Sequence, residues 1–169
     1  MLESGSKNSH QGAQLREPPV LPVVSLFSGS GGLDEGFVKA GFSPVLAMDI
    51  DRAACRTFQW NHPSIRILKK DLSQALNGYV VERLSELPSD ARPVGMIGGP
   101  PCQAFSLSNV HKRSDDPRLK VPRNYAHILS ELNKHYNLEF FVFENVLGLK
   151  HKAHSQLFGY FKELFSSAG

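Results

Sequence analysis

The 169-residue chain has little cysteine, only Cys55 and Cys102, and a single tryptophan, Trp60. Two cysteines make no disulfide framework, and neither lies in a C-x-x-C or other metal-ligand spacing. A reducing compartment is therefore the simpler expectation. No apolar run approaches the ~20 residues that a membrane-spanning helix needs, so no membrane partner is expected. The first residues lack the apolar core of a signal peptide. Neither sign of charge dominates: 19 Lys and Arg stand against 16 Asp and Glu, a surplus that permits nucleic-acid binding without arguing for it. Apolar residues make up 41% and charged residues 21%, ordinary globular values that exclude wholesale disorder. The length suits one domain with a real core.

Residues 1–21 are polar and aperiodic and run into Pro18-Pro19-Val20-Leu21-Pro22, so they read as a disordered leader before a domain at 22–169. From Val23 the pattern alternates. Val23–Phe27 predicts a strand, Ser28–Gly32 a glycine loop, and Leu33 to Ala40 a helix stopped by Gly41. Val45–Ile50 and Ile65–Leu68 predict the next two strands. Between them a helix over Arg52–Trp60 faces Ala53, Ala54, Thr57 and Phe58 inward. Tyr79–Leu87 predicts a helix, Val94–Ile97 a fourth strand, and the polar segment from Ser106 to Pro122 a surface loop. Arg123–His135 predicts a helix, Phe140–Phe143 a fifth strand, and Gln156–Ser167 a last helix. Trp60 and the Phe140–Phe143 cluster are expected in the core, and His151 with His154 on the surface, since no third metal ligand accompanies them.

Strands alternating with helices predict an α/β fold: a mostly parallel sheet with helices on both faces, its ligands beyond the C-terminal strand ends. Phe27 and the glycines, Asp49, Asp71, Cys102 and Glu144 follow the five predicted strands in turn.

A glycine loop between strand and helix, with an acid about 20 residues on, is the arrangement of a dinucleotide site. Asp49 stands where the ribose-binding acid would be. The G-x-G-x-x-G pattern nevertheless fails, because counting from Gly29 and Gly31 the third position is Asp34. A ligand with a ribose but no pyrophosphate, such as S-adenosylmethionine, fits that departure better. Cys102 follows two prolines that stiffen its turn and is a candidate nucleophile; Cys55, in a helical pattern, reads as structural. Glu144 ends an aromatic strand and is a candidate general acid.

Leu26-Phe27-Ser28-Gly29-Ser30-Gly31-Gly32-Leu33, Gly99-Pro100-Pro101-Cys102-Gln103-Ala104-Phe105-Ser106 and Glu144-Asn145-Val146 resemble three signature motifs of the DNA cytosine-5 methyltransferases, in that family's order. Asp115-Asp116-Pro117-Arg118 resembles a fourth. The resemblance implies a Rossmann-like, S-adenosylmethionine-dependent methyltransferase fold. It implies that Cys102 attacks C6 of cytosine while Glu144 engages N3. Phe27, Gly29, Ser30, Gly31, Gly32, Asp49, Ile50, Asp71 and Pro101 would line the S-adenosyl-L-methionine site, with Val121 a further apolar contact. Asp49 would hold the ribose, Ile50 would pack on adenine, and Asp71 would accept from its amino group. Gln103, Ser106, Arg118 and Asn145 would contact substrate, double-stranded DNA with a flipped cytosine, and the loop from Ser106 to about Val121 would close over it. No metal is implied. The setting implied is bacterial restriction-modification, hence a cytoplasmic, nucleoid-associated protein. A tRNA cytosine-5 methyltransferase, or a non-catalytic module that binds a partner or nucleic acid, would show the same motifs. A nicotinamide oxidoreductase is disfavoured by the broken fingerprint.

The family's catalytic domain continues past Glu-Asn-Val with an Arg-containing strand, further sheet, a target-recognition region and a final helix. This sequence stops at Gly169. The expectation is a fragment or one half of a split enzyme, incomplete at its C-terminal side and served by a complementary C-terminal subunit. The Phe140–Phe143 strand would lie at or near an open sheet edge. Alone, the chain would bind cofactor weakly and methylate little.

Overall fold

The apolar runs form strands of four to eight residues: β1 (Leu21–Leu26), β2 (Phe42–Asp49), β3 (Arg66–Lys69), β4 (Gly95–Gly98) and β5 (Phe140–Phe143). The helices between and after them are α1 (Gly32–Lys39), α2 (Arg52–Asn61), α3 (Tyr79–Ser85), α4 (Lys120–Tyr136) and α5 (Ser155–Ser166). This computed structural model describes residues 20–74, 76–101 and 120–169. The sheet order is β3-β2-β1-β4-β5, and every pairing is parallel. β5 is an edge strand, as the sequence led us to expect.

Successive strand residues point to opposite faces, and each face has its own helices. Val24, Leu26, Leu46, Met48 and Met96 pack with Val80 and Leu84 of α3, Tyr125, Ile128, Leu129 and Leu132 of α4, and Phe161 and Phe165 of α5. Burying each of the large aliphatic side chains fully contributes about 1.5–3 kcal/mol. Phe143 extends this layer, its ring centroid 4.8 Å from that of Phe165 and 5.1 Å from that of Tyr125. The other face buries Ala47, Phe58 and Ile65 against α2, and carries Phe140 edge-on to Phe42 at 5.4 Å.

Two expectations about α2 are corrected. Asp51 caps it, its carboxylate accepting from the Ala54 N–H at 2.7 Å. Starting there, the inward stripe falls on Cys55 and Phe58, while Ala53 and Thr57 are exposed. Trp60 is 87% exposed rather than core, because two residues beyond Phe58 is about 200° around the helix. A third correction concerns α4. It begins at Lys120, so Val121 and Pro122 belong to the helix and not to the preceding loop. Proline is tolerated in a first turn, where its missing N–H costs no helical bond.

The chain builds β1, β2 and β3 in one direction and then returns to place β4 and β5 on the other side of β1. That reversal makes a switch point between β1 and β4, the place where open α/β sheets bind ligands beyond the C-terminal strand ends. Among the described residues, no helix is long and apolar enough to cross a membrane.

Candidate functional site

The register aligns the strand ends. Leu26 pairs with Met48 and with Gly98, Gly98 pairs with Phe143, and Asp49 pairs with Lys69. Phe27, Asp49, Gly99 and Glu144 therefore stand in one row along the rim of the sheet. Three interstrand steps separate Asp49 from Glu144, a span of about 14 Å.

The loop after β1 is wound tightly. Phe27 has φ 54°, a left-handed conformation that a bulky residue adopts only when its surroundings impose it. The Ser28 N–H donates to the Met48 carbonyl at 3.1 Å, and the Gly29 N–H donates to Asp49 Oδ2 at 2.8 Å. Gly31 has φ 93°, and a Cβ there would lie 2.9 Å from His62 Nε2, so only glycine fits. Ser30 is exposed, and a Cβ on Gly29 or Gly32 would meet nothing within 4 Å, which leaves that side of the loop open to a ligand.

Asp49 joins this loop to α2. Its Oδ1 accepts from the Asp51 N–H at 2.8 Å, so each oxygen holds one backbone donor and keeps capacity for a hydroxyl. Ile50 beside it is 57% exposed, an apolar surface that no other part of the described chain covers. Asp71 follows β3 and is committed to its own turn: Oδ1 accepts from the Ser73 N–H at 2.9 Å and from Ser73 Oγ at 2.7 Å, and Oδ2 accepts from Gln74 Nε2 at 3.1 Å. These bonds hold its carboxyl below the usual carboxylate range. A pair of hydroxyl acceptors, an open glycine loop and an exposed apolar side chain suit an adenosine-like group without a pyrophosphate.

The second half of the rim is the turn Gly98–Pro101. The Glu144 N–H donates to the Gly98 carbonyl at 2.8 Å, and Asn145 Nδ2 reaches the Pro100 carbonyl at 3.5 Å. Gly99 lies against the Glu144 carboxylate: a Cβ on it would sit 2.9 Å from Oε2. Pro101 is exposed and leads straight to position 102. Cys102, Gln103, Ser106 and Arg118 lie outside the described residues. Below this turn Tyr125 is fully buried and donates its hydroxyl to the Val142 carbonyl at 2.7 Å. Burial pushes its phenol well above the ordinary range.

The structure thus brings Gly29 to Asp49, and Glu144 and Asn145 to the turn before Cys102. Asp71 turns into its own loop, and Val121 is half-buried on α4. Sequence reasoning missed four residues that shape the rim: Ser25, Asp34, His62 and Tyr125. Asp34 carried a signal, as the residue that breaks the glycine fingerprint. Ser25 and Tyr125 lay within apolar or helical patterns and His62 in the connection after α2, and nothing there singled them out.

A model of the C-5 cytosine-specific DNA methylase family matches residues 21–169. The Type II methyltransferase M.FnuDI of Fusobacterium nucleatum is 35% identical over 88% of this chain and 39% of its own length. M.MthTI of Methanothermobacter thermautotrophicus, also a Type II methyltransferase, is 41% identical over 79% of this chain and 36% of its own. The chain therefore spans well under half the length of these relatives. A prophage-encoded E. coli protein, solved as a candidate DNA modification methyltransferase, superposes with a TM-score of 0.66 at 32% identity, covering 87% of this chain and 38% of that one. By its matched span, its parallel five-stranded sheet and its rim motifs, this chain belongs to the C-5 cytosine-specific DNA methylase family.

Proposed function

We propose that this chain supplies the cofactor-binding and nucleophile-bearing part of a DNA cytosine-5 methyltransferase of restriction-modification type. One observation carries the reading beyond family membership: the Glu144 carboxylate is seated on the backbone of Gly99, three residues before Cys102, at the same level as the Asp49-braced glycine loop.

S-adenosylmethionine, when bound, supplies an electrophilic methyl group. Asp49 would hold its ribose and Ile50 would cover the adenine, while the open side of Gly29–Gly32 would receive the rest, with Phe27, Asp71 and Pro101 at the margins. C5 of cytosine is a poor nucleophile. The thiolate of Cys102 overcomes this by adding to C6, which saturates the C5–C6 bond and places electron density at C5. Glu144 hydrogen-bonds N3 and stabilises the ring as it accepts the thiolate. Once C5 carries the methyl group, loss of the C5 proton would re-form the C5–C6 double bond and expel Cys102. Neither carbon can be reached in a stacked duplex, so the cytosine must be flipped out. Asn145 holds the Glu144 segment to the turn, while Gln103, Ser106 and Arg118 meet the nucleic acid. A C-terminal segment or subunit provides the sequence-reading surface.

The test is covalent trapping on a duplex containing 5-fluorocytosine, with cofactor. It is run on this chain alone and with the C-terminal segment of a longer relative. The complemented chain should become cross-linked to DNA and its Cys102→Ser variant should not. Failure of the complemented wild-type chain would overturn the catalytic reading, and trapping on RNA but not DNA would move the substrate class.

A further inference from the structure

Asn124 lies near the start of α4, and its side chain holds the turn that follows β3. Its Nδ2 donates to the Leu72 carbonyl at 3.1 Å and to the Gln74 carbonyl at 3.0 Å. An amide nitrogen carries two hydrogens, and both are used here. Among the described residues, no other donor reaches either carbonyl.

The turn needs that support. The bonds from Ser73 and Gln74 to the Asp71 carboxylate all fall within residues 71–74. They set the shape of the turn but not its place in the fold. The Leu72 side chain is 2% exposed and anchors the turn in the core, yet apolar packing has no direction. The two bonds from Asn124 cross 52 and 50 positions of sequence, and hydrogen bonds are directional. Glu131, further along α4, holds the other end of the same connection, its Oε1 accepting from the Gly78 N–H at 2.8 Å. One helix thus fixes the segment between β3 and α3 at both ends. Val121, three residues before Asn124, lies on the same side of α4 and is half-buried.

Asp71 presents one open acceptor. Its Oδ1 already takes two donors, whereas Oδ2 takes only the exposed Gln74 amide and keeps room for an N–H from a ligand. An ionised carboxylate accepts and does not donate. It therefore suits a purine with an amino group and opposes one with a carbonyl in that place.

We propose that Asn124 is a positioning residue for adenine selection: by tying Leu72 and Gln74 to α4, it aims Asp71 Oδ2 at the amino group of the cofactor's adenine. This rests on the cofactor reading above, with Asp71 as the acceptor for that amino group. Asn124 acts through the Asp71 turn.

The test uses the full chain as wild type, Asn124→Ala, Asp71→Asn and the double variant. Calorimetry measures affinity for S-adenosylhomocysteine and for S-inosylhomocysteine, which carries a carbonyl where adenine carries its amino group. Wild type should prefer the adenine ligand by about tenfold or more, as expected for a hydrogen bond to a charged acceptor. Asn124→Ala should weaken the adenine ligand about tenfold and the inosine ligand little, so that the preference collapses. In the Asp71→Asn background, Asn124→Ala should change the preference no further, because the two residues act as one unit. NMR of wild type supplies a reading that needs no variant: the Asn124 side-chain amide signals should move when S-adenosylhomocysteine binds, and stationary signals would overturn the proposal. Equal losses of both ligands in Asn124→Ala, or none, would also overturn it and leave the cofactor reading intact. If wild type binds neither ligand, the cofactor reading fails and this proposal with it.

Discussion

Asp49 and Gly29 are joined by a 2.8 Å hydrogen bond from the glycine-loop amide to the carboxylate that ends β2. With the Asp51 amide on its other oxygen, one side chain fixes both the loop after β1 and the start of α2. Asn offers a single acceptor oxygen for these two donors. Asp49→Asn should therefore cost about 1–2 kcal/mol in denaturant unfolding and weaken S-adenosylhomocysteine binding at least about tenfold. A variant with wild-type values in both would remove Asp49 from the loop's support.

Gly99 and Glu144 make a sharper case, because the contact is steric. Gly99→Ala places a methyl group 2.9 Å from Glu144 Oε2, closer than side-chain carbons normally approach. The carboxylate is exposed and can move aside, so stability should change by less than about 1 kcal/mol. Trapping on 5-fluorocytosine duplex by the complemented chain should nevertheless slow by about tenfold or more, as a misplaced catalytic group predicts. Unchanged trapping would show that the seat on Gly99 is incidental.

Tyr125 supports the same turn from below. Tyr125→Phe leaves its packing intact and removes the donor to the Val142 carbonyl. The expected loss is about 1–2 kcal/mol in chemical unfolding. It should persist into moderately alkaline solution, since burial keeps the phenol protonated there. A loss that vanished as the pH rose would show that the hydroxyl ionises and is not held in the core.

How much of this was legible in the sequence follows from what each pattern encodes. The strand runs and glycine breaks record backbone preference and burial together, so the element order, the parallel sheet and the rim position of Asp49 and Glu144 could be read directly. The inward face of α2 could not be read reliably, because Ala53 and Thr57 are small enough to pass for core and only the Asp51 cap fixes the rotation. Asp34 was harder still, since a charged residue in a first turn ordinarily signals a solvated helix start. Its complete burial is set by how α1 packs in the fold, which no local window contains.

Trp60 gives that lesson a spectroscopic check. It is the single tryptophan and is 87% exposed. Its emission should be red-shifted and fully accessible to iodide in the folded chain. Trp60→Ala should alter stability by no more than about 0.5 kcal/mol. Blue-shifted, protected emission would mean that another surface covers α2.

Asp34 also makes a prediction about folding that does not depend on any ligand. Burial raises its proton affinity in the folded state above that of the unfolded chain. Its contribution is therefore fully present below the ordinary carboxylate range and is lost as the pH rises through the raised folded value, because the unfolded chain releases the proton first. Asp34→Asn removes that linkage. Relative to wild type, it should gain least in acid, gain as the pH rises from the ordinary carboxylate range through the raised folded value, and hold that gain above it. Urea unfolding of both proteins across that range reads the difference directly. A gap that narrowed with rising pH would mean that Asp34 is ionised in the fold, with a partner strong enough to repay its burial.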